Sequence, residues 1–146
     1  KRIAASDKRT SFVGSDFFYE DVSGRSPDLD HHELVETTAD YYVLKNTPKD
    51  PKSVEFASYK VWIHKATFLP VKGEYYDAAG SKFREMQALE VKEIQGFTTV
   101  VKSLMSDLRT GSTTTISYNK VEYDVGLAED LFTERYLRNP PRAQLR

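Results

Sequence analysis

The three histidines are the residues of this chain best suited to metal binding or acid–base chemistry, because imidazole ligates metals and titrates near neutral pH. His31 and His32 are adjacent, and Asp28 and Asp30 lie just before them. Adjacent side chains of a strand point to opposite faces, so the two imidazoles cannot easily share one metal ion. His64 stands alone in a predicted turn, and no HExxH motif is present. The sequence predicts surface histidines and no metal site.

Serine and carboxylate patterns do not indicate catalysis either. Ser15 follows a glycine but lacks the spacing of the G-x-S-x-G nucleophile elbow. Adjacent acidic residues occur at 20–21 and 129–130. Sequence adjacency does not place both carboxylates of a pair at one site, and the second pair is typical of the first turn of a helix. Without a glycine-rich phosphate loop or a cysteine, we predict a non-enzymatic protein with no catalytic residue and no cofactor.

Composition excludes further classes of protein. The 146 residues include 21 Lys+Arg and 22 Asp+Glu, for a formal net charge of −1, whereas nucleic-acid binding requires a basic surplus. The absence of cysteine fits the cytosol and equally the bacterial periplasm. No apolar run is long enough for a transmembrane helix. The chain shows no signal peptide and starts abruptly, so we expect residues to be missing upstream.

The elements that position these residues are predicted to be mostly β. Aromatic residues, which favour strands, are abundant, with 9 Tyr, 8 Phe and 1 Trp. Turn residues recur at intervals typical of antiparallel sandwiches and barrels. A capped helical turn is expected near Ser15 or Asp16, and apolar spacing predicts a helix over 127–137. The predicted strands are 31–37, 41–47, 54–63, 68–76, 82–94, 97–108 and 113–123.

Several of these strands are apolar on both faces. In the strand 54–63, Phe56 and Trp62 alternate with Tyr59 and Val61, so both faces need cover. Lysines interspersed along these strands suit a strongly curved sheet, in which a lysine near the rim reaches water. We therefore predict a curved sheet with an apolar concave face, an incomplete β-barrel, and assign the Trp62 face to the concavity. An ordinary twisted sheet with edge strands remains the alternative.

Particular groups of residues then carry a resemblance to a known family. Taken in order and spacing, they resemble the outer-membrane lipoprotein-sorting, LolA-like family over nearly the whole chain. The matching groups are SFVGSDF with YED at 11–21, VWI with FLP at 61–70, EYYD at 74–77 with Gly80, and LFTERYL at 131–137 after Gly126 and Leu127.

The resemblance implies an incomplete antiparallel β-barrel with short helical segments, wrapped over a helical lid. It implies that the concave face takes up acyl chains in the Gram-negative periplasm, that there is no enzymatic activity, and that the subgroup accompanies large lipid-exporting membrane transporters. Two departures stand out. We expect residues 1–146 to form a single domain that lacks the family's N-terminal helix and first strands, and His64 replaces an aspartate of the family.

The sequence thus predicts a periplasmic carrier of lipid or lipoprotein for outer-membrane biogenesis. An inner-membrane transporter is a candidate partner, and nucleic acid is not. Two alternatives remain open: an interaction module that docks on such a transporter, and a lipid-modifying enzyme using His31 or His64. The predicted lipid-binding residues are Trp62, Phe56, Tyr42, Leu44, Tyr75, Met86, Leu104 and Met105.

Overall fold

One antiparallel sheet dominates the computed structural model, which describes residues 4–139. Its seven strands are hydrogen-bonded in sequence order, as short turns between successive strands require. The strands are β1 (Asp30–Thr37), β2 (Tyr41–Pro48), β3 (Ser58–His64), β4 (Pro70–Tyr76), β5 (Lys82–Ile94), β6 (Phe97–Asp107) and β7 (Ser112–Ser117).

The helices are short. They are α1 (Tyr19–Ser23), α2 (Glu134–Arg138) and 3₁₀ turns at Ala5–Arg9, Pro27–Leu29, Pro51–Ser53 and Glu129–Phe132. No helix within residues 4–139 is long and apolar enough to cross a membrane. The predicted mostly-β meander is confirmed: β1 and β7 are the two edges of an open sheet, which is the incomplete barrel expected from the sequence.

Two predicted strands, 54–63 and 113–123, are at least three residues shorter in the structure. β3 begins at Ser58 because Pro51–Ser53 forms a 3₁₀ turn in which the Asp50 side chain accepts a hydrogen bond from Lys52 N at 3.1 Å. β7 ends at Ser117. Farther along the chain, the backbone of Tyr123 bonds to the Gln95 side chain instead of a neighbouring strand.

Both predicted helices also differ in detail. The C-terminal helix is interrupted by Thr133, whose extended backbone (φ −93°, ψ 159°) separates the 3₁₀ turn from α2. Near the N-terminus, α1 starts after Phe18 rather than at Ser15 or Asp16. The carboxylate of Asp21 accepts a hydrogen bond from Phe18 N at 2.6 Å and so satisfies a backbone donor at the start of the helix.

The core contains aromatic and aliphatic side chains beside one end of the sheet. Val54, Phe56 and Phe83 are buried together, and Tyr59 and Tyr75 pack against them. The rings of Phe56 and Tyr59 meet edge to face with centroids 5.3 Å apart, a favoured arrangement of aromatic pairs. This core anchors the β3–β5 region on which the candidate site is built.

Candidate ligand cavity

The strand register divides the side chains of the sheet between two faces. Tyr59 pairs with Tyr75, and Tyr75 pairs with Arg84, so these three side chains share a face. Two residues farther along the strands, Met86 pairs with Met105 and continues the same face, because successive side chains alternate. We call this the inner face and the opposite one the outer face.

A cavity of about 380 Å³ lies between the inner face and residues 16–25, which we call the cover segment. Such a volume is within the range of small-molecule sites. The cavity is lined mainly by apolar and aromatic side chains, with three charged groups, and both the sheet and the cover segment contribute. The lining residues are Phe17, Glu20, Asp21, Val22, Arg25, Phe56, Tyr59, Pro70, Tyr75, Met86, Ala88, Val100, Ser103, Met105, Ile116 and Tyr118.

Half of the predicted lipid-binding residues meet at this cavity. Phe56, Tyr75, Met86 and Met105 line it. Tyr42 and Leu44 share the inner face, since Leu44 pairs with Val61 and Tyr42 with Ile63, but they lie outside the lining. Whether any of these residues contacts a lipid stays a prediction.

The assignment of the cavity to the Trp62 face was wrong. Trp62 pairs with Lys72, and the same row continues through Gln87 to Leu104, so Trp62 and Leu104 lie on the outer face. There the Lys72 ammonium lies 4.6 Å from the Trp62 ring centroid, a cation–π contact. The prediction failed because Phe56 precedes β3, so the alternation of side chains along that strand does not relate it to Trp62.

The cover segment contributes lining residues that pattern analysis missed. Phe17 is buried, and Val22 lines the cavity from α1. The signal available in the sequence was the concentration of aromatics at 17–19 in a segment that matches neither strand nor helix periodicity. Periodicity identifies the faces of regular elements and says nothing about an irregular segment that folds over one.

Arg25 fastens the end of the cover segment. Its guanidinium donates to Glu20 Oε1 at 2.6 Å and to the two carboxylate oxygens of Asp30 at 2.8 and 2.9 Å, a bidentate geometry that favours strong pairing. The Tyr59 hydroxyl also donates to Asp30, at 2.9 Å. Burial raises the pKa of Asp30, but the hydrogen bonds from Arg25 and Tyr59 outweigh it and hold that pKa below its usual value. Burial raises the pKa of Tyr59.

Arg84 of β5 fastens the middle of the cover segment. Its Nη2 donates to Asp21 Oδ2 at 2.5 Å and to Asp16 O at 3.0 Å, and its guanidinium carbon lies 3.8 Å from the Phe18 ring centroid. The Asp16 carboxylate in turn accepts hydrogen bonds from the hydroxyls of Ser112 and Thr114, which lower the pKa of Asp16. Side chains of β5 and β7 thus hold the cover segment over the cavity.

The histidines do not form a cluster with the acidic residues. In the part of the chain that the structure describes, no group of three His, Cys, Asp or Glu side chains is arranged to hold a metal ion. His64 Nδ1 lies 3.0 Å from the Thr67 hydroxyl, and His31 is exposed. His32 contacts Asn46 and the Pro27 carbonyl. None of the three lines the cavity.

An open antiparallel sheet that carries a covered apolar cavity defines this chain as a protein of LolA-like fold. A family model described as "-like: Uncharacterized protein" matches residues 1–139, and the chain belongs to this family. A search of curated proteins gave no match.

Three solved structures share the fold. A DUF1329 family protein from Desulfovibrio piger ATCC 29098 is 30% identical, with a TM-score of 0.83 over 94% of this chain and 59% of that one. A "putative outer membrane lipoprotein-sorting protein domain" from Vibrio parahaemolyticus is 28% identical, with a TM-score of 0.83 over 94% and 60%. A LolA superfamily protein from Nitrosomonas europaea is 24% identical, with a TM-score of 0.68 over 91% and 61%. The predicted LolA-like fold is confirmed, and the chain spans about three fifths of each structure.

Proposed function

We propose that this protein is a non-enzymatic carrier that binds the acyl chains of a lipid or lipoprotein in the periplasm of a Gram-negative bacterium. The observation that carries the proposal is the covered cavity of about 380 Å³ on the inner face. Its floor is built from Met86, Met105 and Ile116, and its roof from Phe17 and Val22. An acyl chain is the simplest ligand for such a lining.

Apolar burial would supply most of the binding free energy. Each methylene removed from water contributes about 0.8 kcal/mol, and the flexible thioethers of Met86 and Met105 adapt to chains of different shape. Few polar contacts are needed, so chain specificity is expected to be loose. The Vibrio parahaemolyticus structure is described as a putative outer membrane lipoprotein-sorting protein domain, which supports a lipidated cargo. We propose a transporter of the inner membrane as the partner in delivery of this cargo.

Lipid that co-purifies with the protein tests the proposal. The full-length protein is expressed in a bacterial host, and native mass spectrometry is used to look for bound lipid. Displacement of the fluorescent apolar probe N-phenylnaphthylamine by a fatty acid or a lipid then measures affinity. We expect bound lipid or probe binding that a lipid displaces. Lipid-free protein that also binds no probe would exclude the carrier function.

Exposed apolar side chains favour a second candidate, a module that docks on a membrane transporter. Residues 89–101 continue the β5–β6 hairpin past the ends of β4 and β7, and Leu89 and Phe97 there are exposed. Near the C-terminus, Phe132 and Leu137 are also exposed, at 78% and 66%. Transporter capture that persists when the cavity is blocked would favour this candidate over the carrier.

A further inference from the structure

The charged groups of the cavity indicate which lipid head group it accepts, an inference that rests on the proposed carrier function. Of the residues that line the cavity, Glu20, Asp21 and Arg25 are charged. All three belong to the cover segment, so the charged groups of the lining concentrate on the roof side of the cavity. The lining therefore carries two carboxylates and one guanidinium.

The guanidinium of Arg25 is already held by protein carboxylates. Each of the three side-chain nitrogens of Arg25 donates to a carboxylate of Glu20 or Asp30. Its guanidinium carbon also lies 5.6 Å from the Phe56 ring centroid. An anionic head group that displaced one of these carboxylates would leave that carboxylate partly buried without its partner.

The carboxylates, in contrast, keep free acceptor atoms. Glu20 uses Oε1 to bind Arg25, and Asp21 uses Oδ2 to bind Phe18 N and Arg84. Glu20 Oε2 and Asp21 Oδ1 accept no hydrogen bond from any residue between 4 and 139. Among the described residues, the buried side-chain atom that lacks a hydrogen-bond partner is Arg84 Nε. The two carboxylate oxygens lack a partner within that range but are not buried in this sense, so both are accessible.

Groups behind the lining do not reverse the excess of negative charge. Arg84 contacts Asp21 and Asp30 contacts Arg25, so the two added charges cancel. The neutral lining groups, such as the hydroxyls of Tyr75 and Ser103, both donate and accept hydrogen bonds and do not select for charge. A negative head group would meet net repulsion in a partly desolvated site, where charge interactions are stronger than in water.

We infer that the cavity selects acyl ligands whose head group donates hydrogen bonds and is neutral or positively charged, as hydroxyl and ammonium head groups are, and disfavours the carboxylate of a free fatty acid. Glu20 Oε2 and Asp21 Oδ1 are the acceptors for that head group. Glu20 is the specificity-determining residue, because among residues 4–139 its carboxylate is held by Arg25 alone and its second oxygen stays free for the ligand.

Three ligands with the same dodecyl chain test the inference: laurate, dodecylamine and glycerol monolaurate, each below its micelle concentration. Displacement of N-phenylnaphthylamine from the full chain gives the affinities. We expect dodecylamine and glycerol monolaurate to bind at least about tenfold more tightly than laurate. Laurate binding as tight as the others would overturn the head-group inference alone, whereas failure of all three to displace the probe would overturn the carrier function.

A matched pair of variants assigns the preference to the cover segment. Glu20→Gln keeps the size of the side chain and removes its charge. We therefore expect the ratio of the affinities for dodecylamine and laurate to fall about tenfold. Glu33→Gln is the control, because Glu33 lies on the outer face opposite Lys45, and should keep the wild-type preference. An unchanged preference in Glu20→Gln, with an unchanged unfolding midpoint, would contradict the assignment.

Discussion

Nδ1 of His32 in β1 lies 2.6 Å from Oδ1 of Asn46 in β2. The Asn46 amide nitrogen contacts the carbonyl oxygens of Leu44 and Tyr59, both at 3.4 Å, so its Oδ1 is the atom that faces the imidazole. The other ring nitrogen, Nε2, lies 2.8 Å from the Pro27 carbonyl oxygen. Both partners of the imidazole can only accept hydrogen bonds, and only the doubly protonated ring donates two.

We predict that His32 carries its positive charge to a higher pH than an ordinary histidine. The hydrogen bonds to Asn46 and Pro27 raise its pKa above the usual 6.5, the charge of Asp30 adds to this, and burial and the Lys49 charge oppose it. A raised pKa stabilises the fold fully below pH 6.5, and that stability is lost as the pH rises through the pKa of the folded state. Proton NMR titration of the His32 ring measures the pKa directly.

Replacement of His32 tests the same prediction through stability. Unfolding by urea at a series of pH values should show that His32→Gln removes the loss of stability above pH 6.5. The adjacent His31 is the control, since it lies in the neighbouring row, opposite Thr47 rather than Asn46. His31→Gln should keep the wild-type pH dependence. A His32 pKa at or below the usual value would show that the contacts are not charge-assisted.

The ion pair between Arg84 and Asp21 should be a major determinant of stability. The Arg84 side chain is 2% exposed and that of Asp21 is 14% exposed, and removal of one partner from a buried pair leaves the other charge uncompensated. We expect Arg84→Met to lower the free energy of unfolding by about 3 kcal/mol. Urea unfolding of Arg84→Met, Asp21→Asn and the double variant would show that the losses are not additive.

The exposed pair between Arg138 and Glu134 is the matched control. It is also an Nη2–carboxylate contact, at 2.6 Å, but its side chains are 74% and 69% exposed. Arg138→Met should lower the free energy of unfolding by less than about 0.5 kcal/mol. Additive effects of Arg84→Met and Asp21→Asn would mean that this contact does not fasten the cover segment.

The turn between β5 and β6 requires a residue that tolerates positive φ. Gln95 and Gly96 have φ of 51° and 82°, which suits a two-residue hairpin loop. Gly96→Ala should lower the free energy of unfolding by about 1–2 kcal/mol, since a β-carbon clashes in this conformation. Gly73→Ala is the control: an added β-carbon there would lie 3.7 Å from the Tyr75 side chain, an ordinary contact. Equal effects of the two substitutions in urea unfolding would refute the prediction.

Regular strands were predictable because turn residues and alternation are local properties. The Gln95-Gly96 turn was identified from sequence, and Ile94 pairs with Phe97 across it as expected. The family resemblance rested on short groups of residues, and it led to the fold that the solved structures share.

The cavity was less predictable because its cover is not a regular element. Residues 16–25 are positioned by long-range contacts such as Arg84 with Asp21 and Ser112 with Asp16, which leave no periodic signal. Phe56 shows the same limitation, because it reaches the cavity from a segment before β3. Alternation along β3 separates Trp62 from Tyr59 and Val61, but it does not indicate which of the two faces is covered.

Blocking the cavity separates the two proposed functions. Ser103 lines the cavity from β6, in the row that joins Ala88 and Ile116. A bulky side chain there fills open space, so Ser103→Trp should weaken binding of N-phenylnaphthylamine at least about tenfold. Ser103→Trp should lower the free energy of unfolding by less than the ~1–3 kcal/mol that is typical when a filled core is overpacked.

Ser106 provides the matched control on the same strand. It pairs with Glu85 and Thr113 on the outer face and is also half-buried. Ser106→Trp should therefore leave probe affinity unchanged. If Ser103→Trp binds the probe as well as Ser106→Trp does, with both proteins folded, the ligand lies elsewhere and the cavity is not the site. If Ser103→Trp alone loses the probe, the acyl chain occupies the space between the inner face and the cover segment, and any transporter docking that survives uses a separate surface.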